Sequence, residues 1–215
     1  MKNPFDTPER VAFRKTLRDF VEKEIKPNAD AWDEAGEIPW QLHQKVGALG
    51  VWGFGIEEQY GGLGMDDCFM RAAYNEEFAM CGANGVPAAL NGRMISIEPI
   101  QRLANADIRL RALPEIVSGR KGSSLGITEP SGGSDVAAMK TTSRLDSGTY
   151  VINGSKTFIT GGMTSDFFVI GARTGGDGFA GISLFFVECG HTWVLAHTSG
   201  PQNGLVVCRL GHTLF

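Results

Sequence analysis

The sequence predicts an α+β protein in which an all-helical N-terminal domain, residues 1–120, is followed by a β domain, residues 121–215. Two observations carry this prediction. Apolar residues recur with the 3.6-residue period of an amphipathic helix up to about residue 120, and after Gly122 they alternate with the two-residue period of a strand. Helices and strands that are segregated along a chain favour two abutting units over an alternating α/β fold.

The helical half begins where Thr7 can cap a helix and Pro8 can occupy its first turn. Apolar residues then fall on one face of this helix: Phe13, Leu17, Phe20, Val21 and Ile25. Further helices are expected over residues 39–49, 88–103 and 107–117. Another helix is expected to begin after Asp66 or Asp67, either of which can act as its N-cap.

The second half carries turn signals between short apolar runs. Asn153-Gly154 is a strong hairpin signal, and it predicts that residues 149–153 and 155–160 are two strands joined by a tight turn. Residues 146–148, Asp-Ser-Gly, predict another tight turn. The stretches DFFVIGAR and GISLFFVE are expected to be further strands, whose Phe-Phe pairs serve strand packing.

Composition excludes several classes of protein. The chain has 20 Lys plus Arg against 24 Asp plus Glu, a formal charge of -4, so it lacks the basic surplus that binds nucleic acid. No apolar run reaches the roughly 20 residues that a membrane span needs, and no signal peptide is evident, so a cytoplasmic location is expected. The four cysteines form no C-x-x-C pair, so we expect neither a metal site nor a disulfide framework.

The stretch LGITEPSGGSDV, residues 125–136, is the first chemically informative motif. Without a Cβ at Gly132 and Gly133, backbone N–H groups and serine hydroxyls can approach a polar or anionic ligand closely. The stretch lacks the Gly-Lys-Ser/Thr of a Walker loop and the G-x-G-x-x-G of a dinucleotide fold. A solvated turn without a ligand explains the motif by itself equally well.

Taken with YGGLGMD before it and YVINGSKTFITGG after it, this stretch resembles the acyl-CoA dehydrogenase family in order and spacing over residues 1–188. The resemblance implies a helical N-terminal domain, a middle β-barrel and a C-terminal four-helix bundle. It also implies FAD as cofactor, an acyl-CoA substrate, an electron-transfer flavoprotein as partner, and a homotetramer.

The resemblance assigns roles to particular residues. Those expected to face or hydrogen-bond the flavin ring come from two segments: Leu125, Ile127, Thr128, Gly133 and Ser134 from the first, and Phe158, Ile159 and Thr160 from the second. Ser134 is also expected to meet the acyl-CoA. Phe158 stands where the family has Trp, which loses the indole N–H and keeps a ring face. Plain core packing is the alternative explanation for Phe158 and Ile159.

The family reaction removes the α-proton of a thioester while a hydride leaves the β-carbon for the flavin, giving a trans-2-enoyl-CoA. Hydrogen bonds to the thioester carbonyl and a carboxylate within reach of the proton are required. The family's base is a glutamate of the C-terminal domain, so no catalytic residue is assigned here. Glu129 is interpreted as a turn carboxylate and His43 as a surface residue.

Residues 189–215 differ from the preceding chain, since Arg209 is their only charged residue and no strand or helical pattern is expected to persist. With permitted synonymous codons, a frame shifted by one base from the codon of Cys189 encodes AGTPGFSRTPLDHKMGWWCADSATLF, which resembles the family's continuation. We hypothesise a one-nucleotide insertion near that codon; a natural divergent terminus is the alternative. Resequencing that codon from independent DNA distinguishes the two.

Under this hypothesis the chain is an inactive truncation of the middle domain, with an unpaired strand edge, weak or absent FAD binding and no assured tetramer. Three functions stay open from the sequence: an acyl-CoA dehydrogenase, a non-catalytic module that binds flavin or acyl-CoA, and a flavin-dependent oxidase or monooxygenase of the same fold.

Overall fold

The structure is a computed structural model and describes residues 4–92, 94–189, 194–198 and 203–207. All the described α-helices lie at or before Val117, and the strands begin at Ser123. The predicted fold class, helices first and a sheet after them, is therefore confirmed. By contacts the chain divides into two compact units, one formed by residues 1–91 with 117–120 and the other by 92–116 with 121–215.

Seven α-helices are described, and two of them begin at the predicted N-caps. Thr7 Oγ1 accepts a hydrogen bond from the Arg10 amide at 3.3 Å, and Asp67 Oδ1 accepts one from the Phe69 amide at 2.9 Å. Among the described residues, no helix combines the length and apolarity that crossing a bilayer requires. The helices are α1 (Pro8–Phe20), α2 (Ala29–Ala35), α3 (Trp40–Ala48), α4 (Cys68–Ala79), α5 (Gly85–Gly92), α6 (Ile97–Leu103) and α7 (Ala106–Val117).

Two helical expectations are wrong. The single helix expected over residues 88–103 is two helices, α5 and α6, with a turn at 94–96 between them. Asn91 and Gly92 are poor helix formers at the point where α5 ends. His43 is buried, at 2% exposed, because its ring stacks on Trp40 with 4.7 Å between ring centroids. The helical period placed His43 on the outer face, but the rings of Trp40 and Trp52 both lie beside it in the fold.

Helices α1 and α4 of the first unit are joined by a buried carboxylate. Glu77 is 4% exposed and accepts hydrogen bonds from Arg18 Nη2 at 2.8 Å, Arg18 Nε at 2.9 Å and Arg14 Nη1 at 3.1 Å. The hydrogen bonds from Arg18 are the largest cause that lowers the pKa of Glu77. The same face buries Leu17 and Phe78 completely, so the ion pairs lie at the edge of an apolar contact.

We expect Glu77→Gln to lower the free energy of unfolding by about 1–3 kcal/mol, because it removes the charge that both guanidinium groups bind. The loss of stability should be complete above pH 4.5, the ordinary pKa of a glutamate carboxyl. It should shrink as the pH falls through the lower pKa of Glu77 in the folded protein, because the wild-type carboxylate then becomes protonated and loses its charge as well. Urea denaturation measures it. Glu76→Gln is the matched control, because Glu76 is 63% exposed and its ion pair with Arg14 should contribute less than about 1 kcal/mol.

The strands of the second unit are β1 (Ser123–Gly126), β2 (Thr142–Asp146), β3 (Thr149–Thr157), β4 (Phe167–Arg173), β5 (Ile182–Glu188), β6 (Val194–Thr198) and β7 (Asn203–Val207). They form a seven-stranded sheet in the order β1-β4-β2-β3-β7-β6, with β5 on the other edge of β4. Residues of β3, β4 and β5 form its core, in which the side chains of Ile152, Phe168 and Phe185 are almost fully buried. The predicted packing role of the Phe-Phe pairs is confirmed.

One predicted turn is confirmed and one is wrong. Ser147 and Gly148 connect β2 to β3 with positive φ values of 52° and 82°, as a two-residue hairpin turn requires. Asn153-Gly154, in contrast, lies inside the continuous strand β3. A Cβ at Gly154 would lie 2.4 Å from Thr141 Oγ1, so this glycine allows a close approach between chain segments.

The expectation that strands stop before the tail is also wrong. β7 pairs antiparallel with β3, and β6 pairs antiparallel with β7, so β3 is not left as an unpaired edge. The sequences of β6 and β7 contain apolar and β-branched residue types that suit a strand. The lack of charged residues in this part of the chain concealed that pattern. Residues 190–193, 199–202 and 208–215 lie outside the described residues, and the frame-shift hypothesis stays a prediction.

Candidate functional site

The site is built on a long segment that leaves the sheet and returns to it. β1 runs parallel to β4 as far as the Gly126–Ile170 pair, and β2 rejoins β4 at the Thr142–Arg173 pair. The intervening residues 127–141 therefore begin and end close together on one edge of β4. We call this segment the excursion loop; it contains the SGGSD motif.

Glu129 joins the two ends of the excursion loop. Its backbone exchanges two 3.0 Å hydrogen bonds with Gly132, so it lies in a tight turn. Its carboxylate is 6% exposed; Oε2 accepts from the Lys140 amide and Oε1 from the Thr141 amide, each at 2.8 Å. One side chain therefore holds the beginning of the loop to its end.

Lys156 of β3 completes this buried arrangement. Its Nζ lies 3.0 Å from Glu129 Oε1 and donates to the Ile127 carbonyl at 3.0 Å. Burial lowers the pKa of the Lys156 ammonium against the effect of Glu129. Burial would raise the pKa of Glu129, but the hydrogen bonds from Thr141, Lys140 and Lys156 outweigh it and lower that pKa to about 2. Glu129 is thus a structural anion, far from the pKa that suits a base at neutral pH.

Sequence reasoning assigned no role to Lys156, although a signal was present. Strand residues two apart face the same side of a sheet, so Lys156 shares the inward face of β3 with the buried Ile152. A lysine at an inward position is almost never fully buried without a partner. The pattern therefore indicates a buried ion pair, and the partner had to be found in the fold.

The second unit contains a pocket of about 390 Å³ beside this ion pair. Six of the eight residues predicted to face a flavin line it: one from β1, two from the start of the excursion loop and three that follow β3. Two further residues, which the sequence did not predict, complete the wall. The lining residues are Leu125, Ile127, Thr128, Phe158, Ile159 and Thr160, with Gly92 and Ile95.

Phe158 has an unusual backbone and an unusual exposure. It adopts φ of 58°, a left-handed conformation that is rare for a bulky residue, and its side chain is 58% exposed. The neighbouring Ile159 is 3% exposed and belongs to the sheet core. Core packing therefore describes Ile159 but not Phe158. Strain of this kind persists only where the surrounding structure imposes it, and it clusters at ligand sites.

Buried serines fix the backbone next to Phe158. The Ser124 hydroxyl donates to the Thr160 carbonyl at 2.7 Å and lies 2.7 Å from Ser165 Oγ, which then acts as donor to it. Both serines are buried, whereas the Thr160 side chain is exposed at the pocket. A Cβ at Gly92 would lie 2.3 Å from Thr160 Cγ2, so the close approach at this wall favours glycine.

The two remaining predicted residues lie on the excursion loop outside the pocket lining. A Cβ at Gly133 would be 3.2 Å from Thr128 Cγ2, so Gly133 lies next to a lining residue. Ser134 is exposed, and a Cβ at Gly132 would meet no atom within 4 Å. This part of the loop presents backbone and a hydroxyl to open space. None of the described residues that line the pocket has a carboxylate or an imidazole.

Comparison with known proteins gives the family. The model of the acyl-CoA dehydrogenase N-terminal domain matches residues 7–120, and that of the acyl-CoA dehydrogenase middle domain matches residues 124–213. An acyl-CoA dehydrogenase of Bacillus subtilis is 37% identical over 183 residues, which are 85% of this chain and 48% of that protein. The chain spans about half the length of the curated relatives it matches.

Solved structures agree with this assignment. The butyryl-CoA dehydrogenase of Megasphaera elsdenii has a TM-score of 0.86 at 28% identity, covering 98% of this chain and 60% of that one. A glutaryl-CoA dehydrogenase of Mycobacterium smegmatis in complex with FADH2 has a TM-score of 0.82 at 27% identity, covering 96% and 54% of the two chains. The chain therefore belongs to the acyl-CoA dehydrogenase family, of which it carries the N-terminal and middle domains.

Proposed function

We propose that the protein is an FAD-dependent acyl-CoA dehydrogenase that forms a trans-2-enoyl-CoA, and that this chain supplies the flavin-facing wall of its site. The observation that carries the proposal is the pocket itself. It gathers two separate segments, residues 125–128 and 158–160, in which family resemblance places flavin contacts. A structural neighbour that binds FADH2 supports the choice of cofactor.

The residues present fit a flat, aromatic and uncharged ring system. Leu125, Ile127 and Ile159 give an apolar wall, the exposed Phe158 offers a ring face, and Thr128 and Thr160 add hydroxyls. Aromatic faces stack on such rings, and a few well-placed polar groups fix their orientation. We expect these six residues to hold the isoalloxazine of FAD.

When bound, FAD supplies the hydride acceptor for the β-carbon of the acyl chain. The residues of this chain bind and orient the reactants. Leu125 and Ile127 present apolar side chains that exclude water from one side of the pocket, which strengthens hydrogen bonds made there. The Thr128 and Thr160 hydroxyls can donate to ring heteroatoms. Ser134, with the open backbone at Gly132 and Gly133, can donate to the acyl-CoA.

Proton abstraction needs a group from outside this pocket wall. No lining residue among those described is a base, and Glu129 is held as an anion by its ion pair with Lys156. We propose that a carboxylate elsewhere in the whole protein removes the α-proton, and that an electron-transfer flavoprotein accepts the electrons, as the family resemblance implies.

The test compares the 215-residue chain with a version whose frame is restored at the codon of Cys189. We expect the restored protein to be yellow and to lose its flavin colour when an acyl-CoA thioester is added. We expect the 215-residue chain to bind FAD weakly and to reduce no dye, because Phe158 and Ile95 leave one side of the pocket open, at 58% and 57% exposed. A restored, folded protein that stays colourless in excess FAD and ignores every thioester would refute the proposal.

A further inference from the structure

We propose that Arg173 is a positioning residue for the excursion loop and, through it, for the flavin pocket. Arg173 is the last residue of β4, at the point where the loop rejoins the sheet. The inference deepens the proposed function and rests on it, because the position of the loop matters to a ligand only if the pocket binds one.

The guanidinium of Arg173 binds two loops at once. Nε donates to the Met139 carbonyl at 3.0 Å, and Nη2 donates to the Ala137 carbonyl at 2.6 Å, both on the excursion loop. Nη1 donates to the carbonyls of Gly176 at 2.5 Å and Gly178 at 3.1 Å, in the loop between β4 and β5. Four backbone carbonyls are therefore fixed by one side chain.

The chemistry of this contact requires arginine. A guanidinium presents five N–H donors in a rigid planar fork, whereas the ammonium of lysine is a compact point charge with three donors. Among the described residues, no carboxylate forms an ion pair with Arg173, so its donors serve backbone carbonyls instead. A partly buried guanidinium that binds backbone carbonyl groups fixes the positions of those backbone segments.

The β4–β5 loop is shaped to surround this guanidinium. The amides of Thr174 and Gly175 donate to the Gly181 carbonyl at 2.9 and 3.1 Å, which closes the loop. A Cβ at Gly181 would lie 1.8 Å from the Gly176 carbonyl oxygen and 2.9 Å from Arg173 Nη1. The closed loop therefore depends on a glycine next to the guanidinium.

A chain of contacts leads from Arg173 to the pocket. The Arg173 amide donates to the Thr141 carbonyl at 2.8 Å, and its Nε holds the backbone of Met139. The side chains of Met139 and Ile127 both cover Gly171, since a Cβ there would lie 2.9 Å from Met139 Cε and 3.0 Å from Ile127 Cδ1. Ile127 lines the pocket. Arg173 thereby fixes the backbone of Met139, whose side chain shares the space over Gly171 with a residue that lines the pocket.

Hydrogen exchange of the 215-residue chain without ligand tests the proposal. In Arg173→Ala we expect the amides of Ala138 and Met139 to exchange at least about ten-fold faster, because the loop opens locally without its anchor. The amides of Phe168 and Val187 in the sheet core should keep their rates, and so should all of these amides in Arg144→Ala, a control at an exposed position of β2. Millimolar methylguanidinium should restore slow exchange to Arg173→Ala.

Unchanged exchange at Ala138 and Met139 would overturn the proposal, and so would an increase spread evenly over β4 and β5, which indicates a general loss of stability. If Arg173→Ala does not fold, Arg173→Lys decides by the same criteria, since lysine cannot bind both loops. The proposed function can fail while this inference holds. In that case, FAD would leave amide exchange at the pocket of the frame-restored wild-type protein unchanged, while Arg173→Ala would still show the local effect on the loop.

Discussion

Lys156→Met is expected to lower the free energy of unfolding by about 3–5 kcal/mol, because it leaves the buried Glu129 carboxylate without its cation. The substitution keeps most of the side-chain volume. The lost stability therefore comes from the ammonium charge and its hydrogen bonds to Glu129 and Ile127. Urea denaturation of the 215-residue chain measures the effect.

Two controls make this result specific to the ion pair. Lys140→Met removes an exposed lysine from the excursion loop and should change the free energy of unfolding by less than about 0.5 kcal/mol. The double variant Lys156→Met/Glu129→Gln removes both charges, keeps an amide oxygen near the Lys140 and Thr141 amides, and should recover part of the loss. A single variant Lys156→Met that is as stable as wild type would show that the ion pair does not hold the excursion loop.

The ion pair also gives a pH dependence with a definite sign. The pKa of Glu129 falls from 4.5 to about 2 on folding, so its stabilising contribution is complete above pH 4.5 and is lost as the pH falls toward 2. Glu129→Gln should therefore differ from wild type most at neutral pH and least near pH 2. A difference that grows on acidification would contradict this assignment.

Phe158→Gly is expected to move stability and flavin binding in opposite directions. Glycine adopts φ of 58° without strain, so the chain should gain about 1 kcal/mol of unfolding free energy. Loss of the ring should weaken FAD binding by the frame-restored protein about ten- to hundred-fold, since stacking on an aromatic side chain contributes about 1–3 kcal/mol. Denaturation and quenching of flavin fluorescence measure the two effects.

Phe179→Gly is the matched control, because Phe179 is another exposed phenylalanine, at 71%, and does not line the pocket. It should leave FAD binding unchanged. Phe158→Trp restores the aromatic residue of the family motif and should bind FAD at least as tightly as wild type. Stability that falls in Phe158→Gly, with FAD binding intact, would show that the ring serves the fold and not a ligand.

Local signals predicted much of the fold correctly. Thr7 and Asp67 cap the helices that their sequence positions indicate, because a cap depends on residues within one turn. The turn at Ser147-Gly148 is equally local. Asn153-Gly154 carries the same kind of signal and was misinterpreted, since its glycine serves a close approach to Thr141, a contact that no local pattern reveals.

The sequence by itself determined the order of helices and strands, the family, and the two segments that meet in the pocket, because motif order and hydrophobic period are properties of neighbouring residues. Tertiary structure alone decided what holds those segments in place. Lys156 pairs with Glu129 across 27 positions, and Arg173 reaches Ala137 across 36. Buried charges and carbonyl groups need partners with exact geometry, and folding brings such distant partners together.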